Sequence, residues 1–266
     1  MIGILTSSRD PAGVNIRNYL LKEYFTEKKG IFDDTPVFTF NEFVLVETKS
    51  SLLEVDPKLD DHFDVDFWLF GSKHASSENV PALTVHSPGN WNDAKYGGKP
   101  NELAFSDACA IKNCLLNLHN SPNRAKYEVC LEVTHHGPTS LKKPVIFVEI
   151  GSSKEYWEDG VAAAVVSEAI LKANERQDWD VCVGFGGTHY APGFTKLLLN
   201  TNYATGHIGP KYVTFSHENI KMAIEKTKMA KSVVLDWKGL NYEQKSLIRQ
   251  FLSEQSLPVY KLGELK

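Results

Sequence analysis

Short apolar runs recur along the chain, separated by stretches in which apolar residues fall three and four positions apart. The runs at residues 2–6, 43–48, 67–70, 82–86, 129–134, 145–150, 181–185 and 233–237 predict strands. Those at 129–134 and 145–150 are nearly continuous rather than alternating, which predicts burial on both faces. Between the runs, Asp10 stands as an N-cap before Pro11, and Ile16, Tyr19, Leu20 and Tyr24 continue at helical spacing. Ser106 caps a second helix carrying Ala108, Ile111, Leu115 and Leu118. Further helices are predicted over 161–173, over about 216–231, and from the cap Asn241 to about residue 252. Strands alternating with helices predict an α/β fold, a three-layer α/β/α sandwich around a mixed, mostly parallel sheet. Residues 186–212 follow neither period; rich in glycine, aromatics and histidine, they read as a functional loop.

Composition narrows the class. The 266 residues fit one domain, 1–266, and 42% hydrophobic with 23% charged residues is an ordinary globular balance. A net charge of -4 is unlike a dedicated nucleic-acid coat, so any RNA contact must rest on a local patch. Lys95, Lys99, Lys142, Lys143, Lys211, Lys221, Lys228 and Lys231, with Trp91, Tyr96, Tyr190 and Tyr212 interleaved, are its candidates. Cys109, Cys114, Cys130 and Cys182 show no metal or redox spacing, and no apolar stretch reaches the 18 or so residues of a membrane span. The first strand has no basic leader before it, so the expected location is cytoplasmic.

The chemistry lies in the histidines. Six of the nine, His74, His86, His135, His136, His189 and His207, follow apolar runs close to glycine or proline. One histidine in a loop is ordinarily a structural group satisfied by hydrogen bonds. The repetition of strand, histidine and Gly/Pro turn points to imidazoles gathered at strand ends, where α/β sheets bind ligands. Glu132 precedes the pair His135-His136, and Glu149 ends the next apolar run. Residues two apart share a strand face, so adjacent His135 and His136 both point inward only if the backbone turns, which Gly137-Pro138 would allow. There is no His-Glu-x-x-His, no phosphate-binding Gly-x-x-x-x-Gly-Lys and no Gly-x-Ser-x-Gly, and His189 stands where a dinucleotide fingerprint needs its third glycine. The residues alone leave two mechanisms open: metal-assisted hydrolysis, or histidine acid–base catalysis without a metal.

The segments His86-Ser87-Pro88-Gly89-Asn90-Trp91, Glu132-Val133-Thr134-His135-His136-Gly137-Pro138-Thr139, Val148-Glu149-Ile150-Gly151-Ser152-Ser153, Gly184-Phe185-Gly186-Gly187-Thr188-His189-Tyr190 and Gly206-His207-Ile208-Gly209-Pro210 together resemble the archaeal- and plant-type D-aminoacyl-tRNA deacylases. The resemblance runs to about residue 217. It implies a phosphorylase/hydrolase-like fold, hydrolysis of the ester joining a D-amino acid to tRNA, and Zn2+ as cofactor, one or two ions. The residue roles are read from this sequence itself: His135, His136 and Glu132 are the catalytic candidates, and His86, His136, Glu149, His189 and His207 the candidate metal ligands. Backbone N–H groups of Gly137, Gly186, Gly187 and Thr188 are the candidates for stabilising the oxyanion. A metallopeptidase or amidase of the same fold class, and a non-catalytic nucleoside- or tRNA-binding protein, are the alternatives.

Overall fold

The computed structural model describes residues 1–124 and 126–265. The chain opens with β1 (Ile2–Ser7), α1 (Pro11–Glu23), the hairpin β2 (Glu27–Phe32) and β3 (Thr35–Phe40), then β4 (Phe43–Thr48), the single turn α2 (Leu59–His62), β5 (Trp68–Lys73) and β6 (Ala82–His86). A ribbon of β7 (Gly89–Asn90) and β8 (Glu102–Leu103) precedes α3 (Ala108–Asn120), β9 (Glu128–Leu131), β10 (Val145–Gly151), α4 (Lys154–Trp157) and α5 (Gly160–Ile170). The last third holds β11 (Asp180–Phe185), α6 (Pro192–Asn200), β12 (Tyr203–Gly209), α7 (His217–Lys226), β13 (Ser232–Leu235), α8 (Tyr242–Ser253) and β14 (Val259–Lys261).

Local chemistry explains most of these boundaries. The Asp10 carboxylate accepts the Gly13 N–H at 2.9 Å, and Asn241 forms a reciprocal box with Gln244 at the start of α8. The cap of α3 is Asp107, one residue later than expected, because Ser106 is held as an extended bridge against Thr227. The helix expected to reach Lys231 stops at Lys226, and Met229 beyond it has a left-handed backbone. The glycine-rich stretch 186–212 is not all loop: it contains α6 and β12. Glycine disguised β12. A side chain at Gly206 would stand 2.5 Å from a Thr227 methyl, so the strand needs glycine for packing rather than for bending.

The fold is α/β, with parallel pairing dominant. The larger sheet runs β2-β3-β4-β1-β5-β10-β6-β9, antiparallel within the β2-β3-β4 meander and between β10 and β6. Strands β12-β11-β13-β14 form a second, wholly parallel sheet that sequence patterning did not separate from the first. Helices α1, α3 and α5 cover one face of the larger sheet, and α3 also packs on β12. The main core cluster therefore draws Ile4, Leu69 and Val148 from one sheet and Cys182, Ile208 and Val234 from the other. Residues of α7 and α8, among them Ile220, Ile248 and Phe251, bury Val183, Phe185 and Leu235 of the smaller sheet. Among the described residues, no helix is long and apolar enough to cross a membrane.

Candidate active site

The site arises where one sheet face changes character. On the helix-covered face, Leu69, Ile146, Val148, Ile150, Leu83 and Val85 are uniformly apolar. The opposite face begins in the same way, with Trp68, Phe70, Val145 and Phe147 packed under Leu52 and Leu59. Further along, Ser72, Glu149 and Thr84 stand side by side on neighbouring strands, and His86 faces Phe147. Ser72 donates to Glu149 Oε1 at 2.6 Å, which anchors that carboxylate. His74 lies two residues past Ser72 and so shares its face. Because β6 is antiparallel to β10, its carboxyl end points away from that of β5. The cluster consequently sits on a sheet face rather than along a common carboxyl edge, which corrects the strand-end expectation. Glu132 and Glu149 are also not on adjacent strands, since β6 lies between β9 and β10.

A bridge between the sheets completes it. Glu132 N–H donates to Val85 O at 3.1 Å, while Val133 and Thr134 donate to His189 O and Ile208 O at 2.9 Å each. His136 has φ 47, so the turn that admits both adjacent imidazoles falls at His136 itself. The rings of His135 and His136 are 4.3 Å apart, with His86 at 4.5 and 4.9 Å from them and His189 4.7 Å from His135. Gly186 and Gly187, at φ 106 and 94, form the glycine-only turn that returns His189 to the bridge. Glu132 is the hub: its oxygens lie 2.9 Å from His189 Nε2, 3.1 Å from His74 Nδ1 and 3.5 Å from His135 Nε2.

Burial and charge set the protonation states. Burial would raise Glu132, but His189 and His74 outweigh it and hold this carboxyl well below its ordinary range. Burial would lower His74, yet Glu132 and Glu149 keep its imidazolium, pushed up to about 11. Burial and the neighbouring Glu132 charge raise Glu149 to about 7. Desolvation and the proximity of His135 lower His86 far below its usual value and His136 to about 3, leaving both neutral. Neutral His86 and His136 beside the ionised Glu132 are in the state a metal requires, whereas His74 must give up its proton before it can ligate.

A profile of the D-aminoacyl-tRNA deacylase family matches residues 61–260. Proteins named D-aminoacyl-tRNA deacylase are similar over almost the whole length. That of Archaeoglobus fulgidus is 36% identical, covering 99% of this chain and 97% of the relative, and that of Thermococcus kodakarensis is 38% identical, covering 96% and 97%. The chain belongs to the D-aminoacyl-tRNA deacylase family. A crystal structure described as a conserved protein of unknown function superposes with a TM-score of 0.94 at 36% identity, over 100% of this chain and 96% of that one.

Among the described residues of this family member, three groups are spaced to hold a cation: His86 with His135 and His136, His74 with Glu132 and His189, and His86 with Glu132 and Glu149, the ligand atoms within 4.8 Å in each. The polar atoms fit such an ion. Both Glu132 oxygens and His86 Nδ1 are fully buried without an aligned hydrogen-bond partner. The outer nitrogens of His135 and His136 donate to Val133 O and Gly137 O at 2.8 and 2.7 Å, the support that orients metal-ligating imidazoles. His74 was missing from the expected ligand set, although it obeys the same rule of a histidine just past an apolar run.

Two expectations need correction. His207 does not join the cluster: it is wholly buried, with Nδ1 3.1 Å from Thr134 Oγ1 and Nε2 2.9 Å from Ala104 O. Both nitrogens are occupied, so His207 is structural. Replacing it with Ala should destabilise the protein by about 2 kcal/mol, through an orphaned carbonyl and a cavity, while bound-metal content is unchanged. Denaturant unfolding and metal analysis of His207→Ala decide this; a lost metal would restore it as a ligand. Of the oxyanion candidates, Gly137 N–H is committed to Tyr96 O at 2.9 Å and Gly186 N–H to Gly209 O at 2.7 Å. Gly187 is buried, and only Thr188 is exposed.

Two clefts meet at the histidines. One, of about 540 Å3, is bounded by Leu52, Leu53, Phe147, His74, Glu149 and Arg9. The other, of about 410 Å3, is bounded by Trp91, Asn92, Lys95 and Tyr212. Tyr96, His135, His136 and His189 line both.

Proposed function

We propose that this protein hydrolyses the ester bond between a D-amino acid and the 3′ end of tRNA, with the bond lying over His135, His136 and His189. The observation that carries this reading is the meeting of the two clefts at those imidazoles. The aromatic cleft, with exposed Tyr96 and Tyr212 beside Lys95, suits a terminal nucleoside, since bases stack on such rings. The cleft of Leu52, Leu53 and Phe147 suits an amino-acid side chain. His135 donates Nδ1–H to Val133 O, so Nε2 of the neutral ring is free to take a proton from the attacking water. Glu132 Oε2 stands 3.5 Å from that same nitrogen and steadies the imidazolium that forms. The returning proton goes to the ribose oxygen, and the N–H of Thr188, the one exposed residue among the candidates, would receive the oxyanion.

His86, His136, His189 and Glu149, with His74 and Glu132, are the residues that would hold Zn2+. Zinc there would supply Lewis-acid polarisation of the ester carbonyl and a more acidic water. The main-chain rim around Gly137, wedged so closely against Gly97, Gly98 and Leu53 O that no side chain fits there, is the candidate for excluding one enantiomer by shape. This reading makes the chain a one-domain enzyme working in the cytoplasm on charged tRNA.

The decisive experiment compares initial rates on D-tyrosyl- and L-tyrosyl-tRNA. The D-ester should be cleaved at least ~100-fold faster, because steric exclusion from a close-packed site costs several kcal/mol. Equal rates would mean a general aminoacyl esterase. Cleavage of neither, with turnover of a peptide amide, would return the metallopeptidase reading.

A further inference from the structure

The lysines expected to contact RNA are partly neutralised. Lys142 and Lys143 pair with Asp61 and Asp64 at 3.5 and 3.3 Å, Lys221 with Glu225 at 3.6 Å, and Lys228 with Asp107 at 3.0 Å. A different set of cations gathers on Trp237. Arg249 Cζ lies 4.3 Å from its ring centroid, Lys245 Nζ 4.9 Å and Lys261 Nζ 5.9 Å. Lys261 is paired with Glu264 at 3.1 Å; among the described residues, Lys211, Lys238, Lys245 and Arg249 form no ion pair. Like charges converging on one ring repel one another, and contact with its face offsets only part of that, so the arrangement favours an anion.

This patch is attached to the mouth of the site. Trp237 follows β13, and a side chain at Gly186 would come within 2.7 Å of Asp236 O, so the 236–240 turn packs on the glycine turn before His189. The start of α8 is fastened to the same rim: Gln244 Nε2 donates to Lys211 O at 3.1 Å and Val213 O at 2.8 Å. Between those two residues stands Tyr212, an exposed wall of the aromatic cleft, 3.5 Å from His189 Nδ1. The helix that carries Lys245 and Arg249 is therefore fastened to the rim of the cleft assigned to the terminal nucleoside.

We infer that Lys211, Trp237, Lys245, Arg249 and Lys261 form the docking face for the tRNA acceptor stem. The stem phosphates lie along these cations, and the single-stranded 3′ end passes Tyr212 into the aromatic cleft. In a protein of net charge -4, this concentrates positive potential where the substrate enters. The inference rests on the proposed reading of the site as one for a tRNA ester.

The test uses Lys245→Glu/Arg249→Glu, two substitutions on the outer side of α8, with thermal unfolding as the fold control. Rates are compared on D-tyrosyl-tRNA and on the 3′-D-tyrosyl ester of adenosine, which has no stem. The expected result is a loss of about 30-fold in kcat/KM on tRNA and a change within about threefold on the adenosine ester. Replacing the same pair by Ala should flatten the log–log salt dependence of tRNA turnover by about two. Equal losses on both substrates, or no loss on tRNA, overturn the docking face while leaving the ester-hydrolase reading intact. If the wild-type protein cleaves neither ester, the reading of the site fails instead. Gel-shift titration with uncharged tRNA then judges the face alone: salt-sensitive binding lost in the Glu pair supports it, and binding unaffected or absent in the wild type overturns it.

Discussion

Glu132→Gln is expected to lose at least ~1000-fold in deacylation rate, the upper part of the range for removing an essential acid–base group. Three imidazoles depend on this one carboxylate, at 2.9, 3.1 and 3.5 Å, and its side chain is wholly inaccessible to water. Gln keeps the volume but removes the charge that holds the His74 imidazolium in a buried place. Only Glu149, at 3.7 Å, is then left to compensate that buried charge, so stability should fall by about 2 kcal/mol as well. Urea unfolding reads the stability loss, and single-turnover hydrolysis of D-tyrosyl-tRNA reads the rate loss. A variant within tenfold of wild type would remove Glu132 from the reactive centre.

Chelation should have an effect of similar size. Stripping the protein with a strong chelator is expected to lower turnover by at least ~1000-fold, and Zn2+ should restore it as one or two ions bind per chain. Metal content measured beside activity distinguishes this from chelator damage. His86→Ala should lower the bound metal, because His86 belongs to two of the three ligand groups and its Nδ1 has no other partner. Full turnover in metal-free protein would leave the bare Nε2 of His135 to act without an ion.

Much of the fold can be read locally. Apolar runs, the caps at Asp10 and Asn241 and the helical spacing of α1, α3, α5 and α8 are short-range properties, so they survive without tertiary information. The interruption of an apolar strand by Glu149, and of another by Ser72 just before His74, also marks a reactive surface in sequence, because an uncompensated polar or charged group is excluded from a core. The histidine rule found five members of the cluster for the same reason, together with one residue that does not belong.

Tertiary structure decided the rest. His207 resembles the others until its partners are known, and Thr134 and Ala104 lie 73 and 103 residues away in the chain. Strand direction is equally non-local: no residue within β6 announces that it runs against β10, yet that reversal places His86 beside Phe147. The division into two sheets, the bridging of Glu132–Thr134 between them, and the convergence of Lys245, Arg249 and Lys261 on Trp237 follow the same logic. Sequence by itself determined which segments fold and which side chains could do chemistry, since burial period and capping act within a few residues. Pairing between distant segments determined which of those side chains meet, because hydrogen-bond partners and register are properties of two strands and never of one.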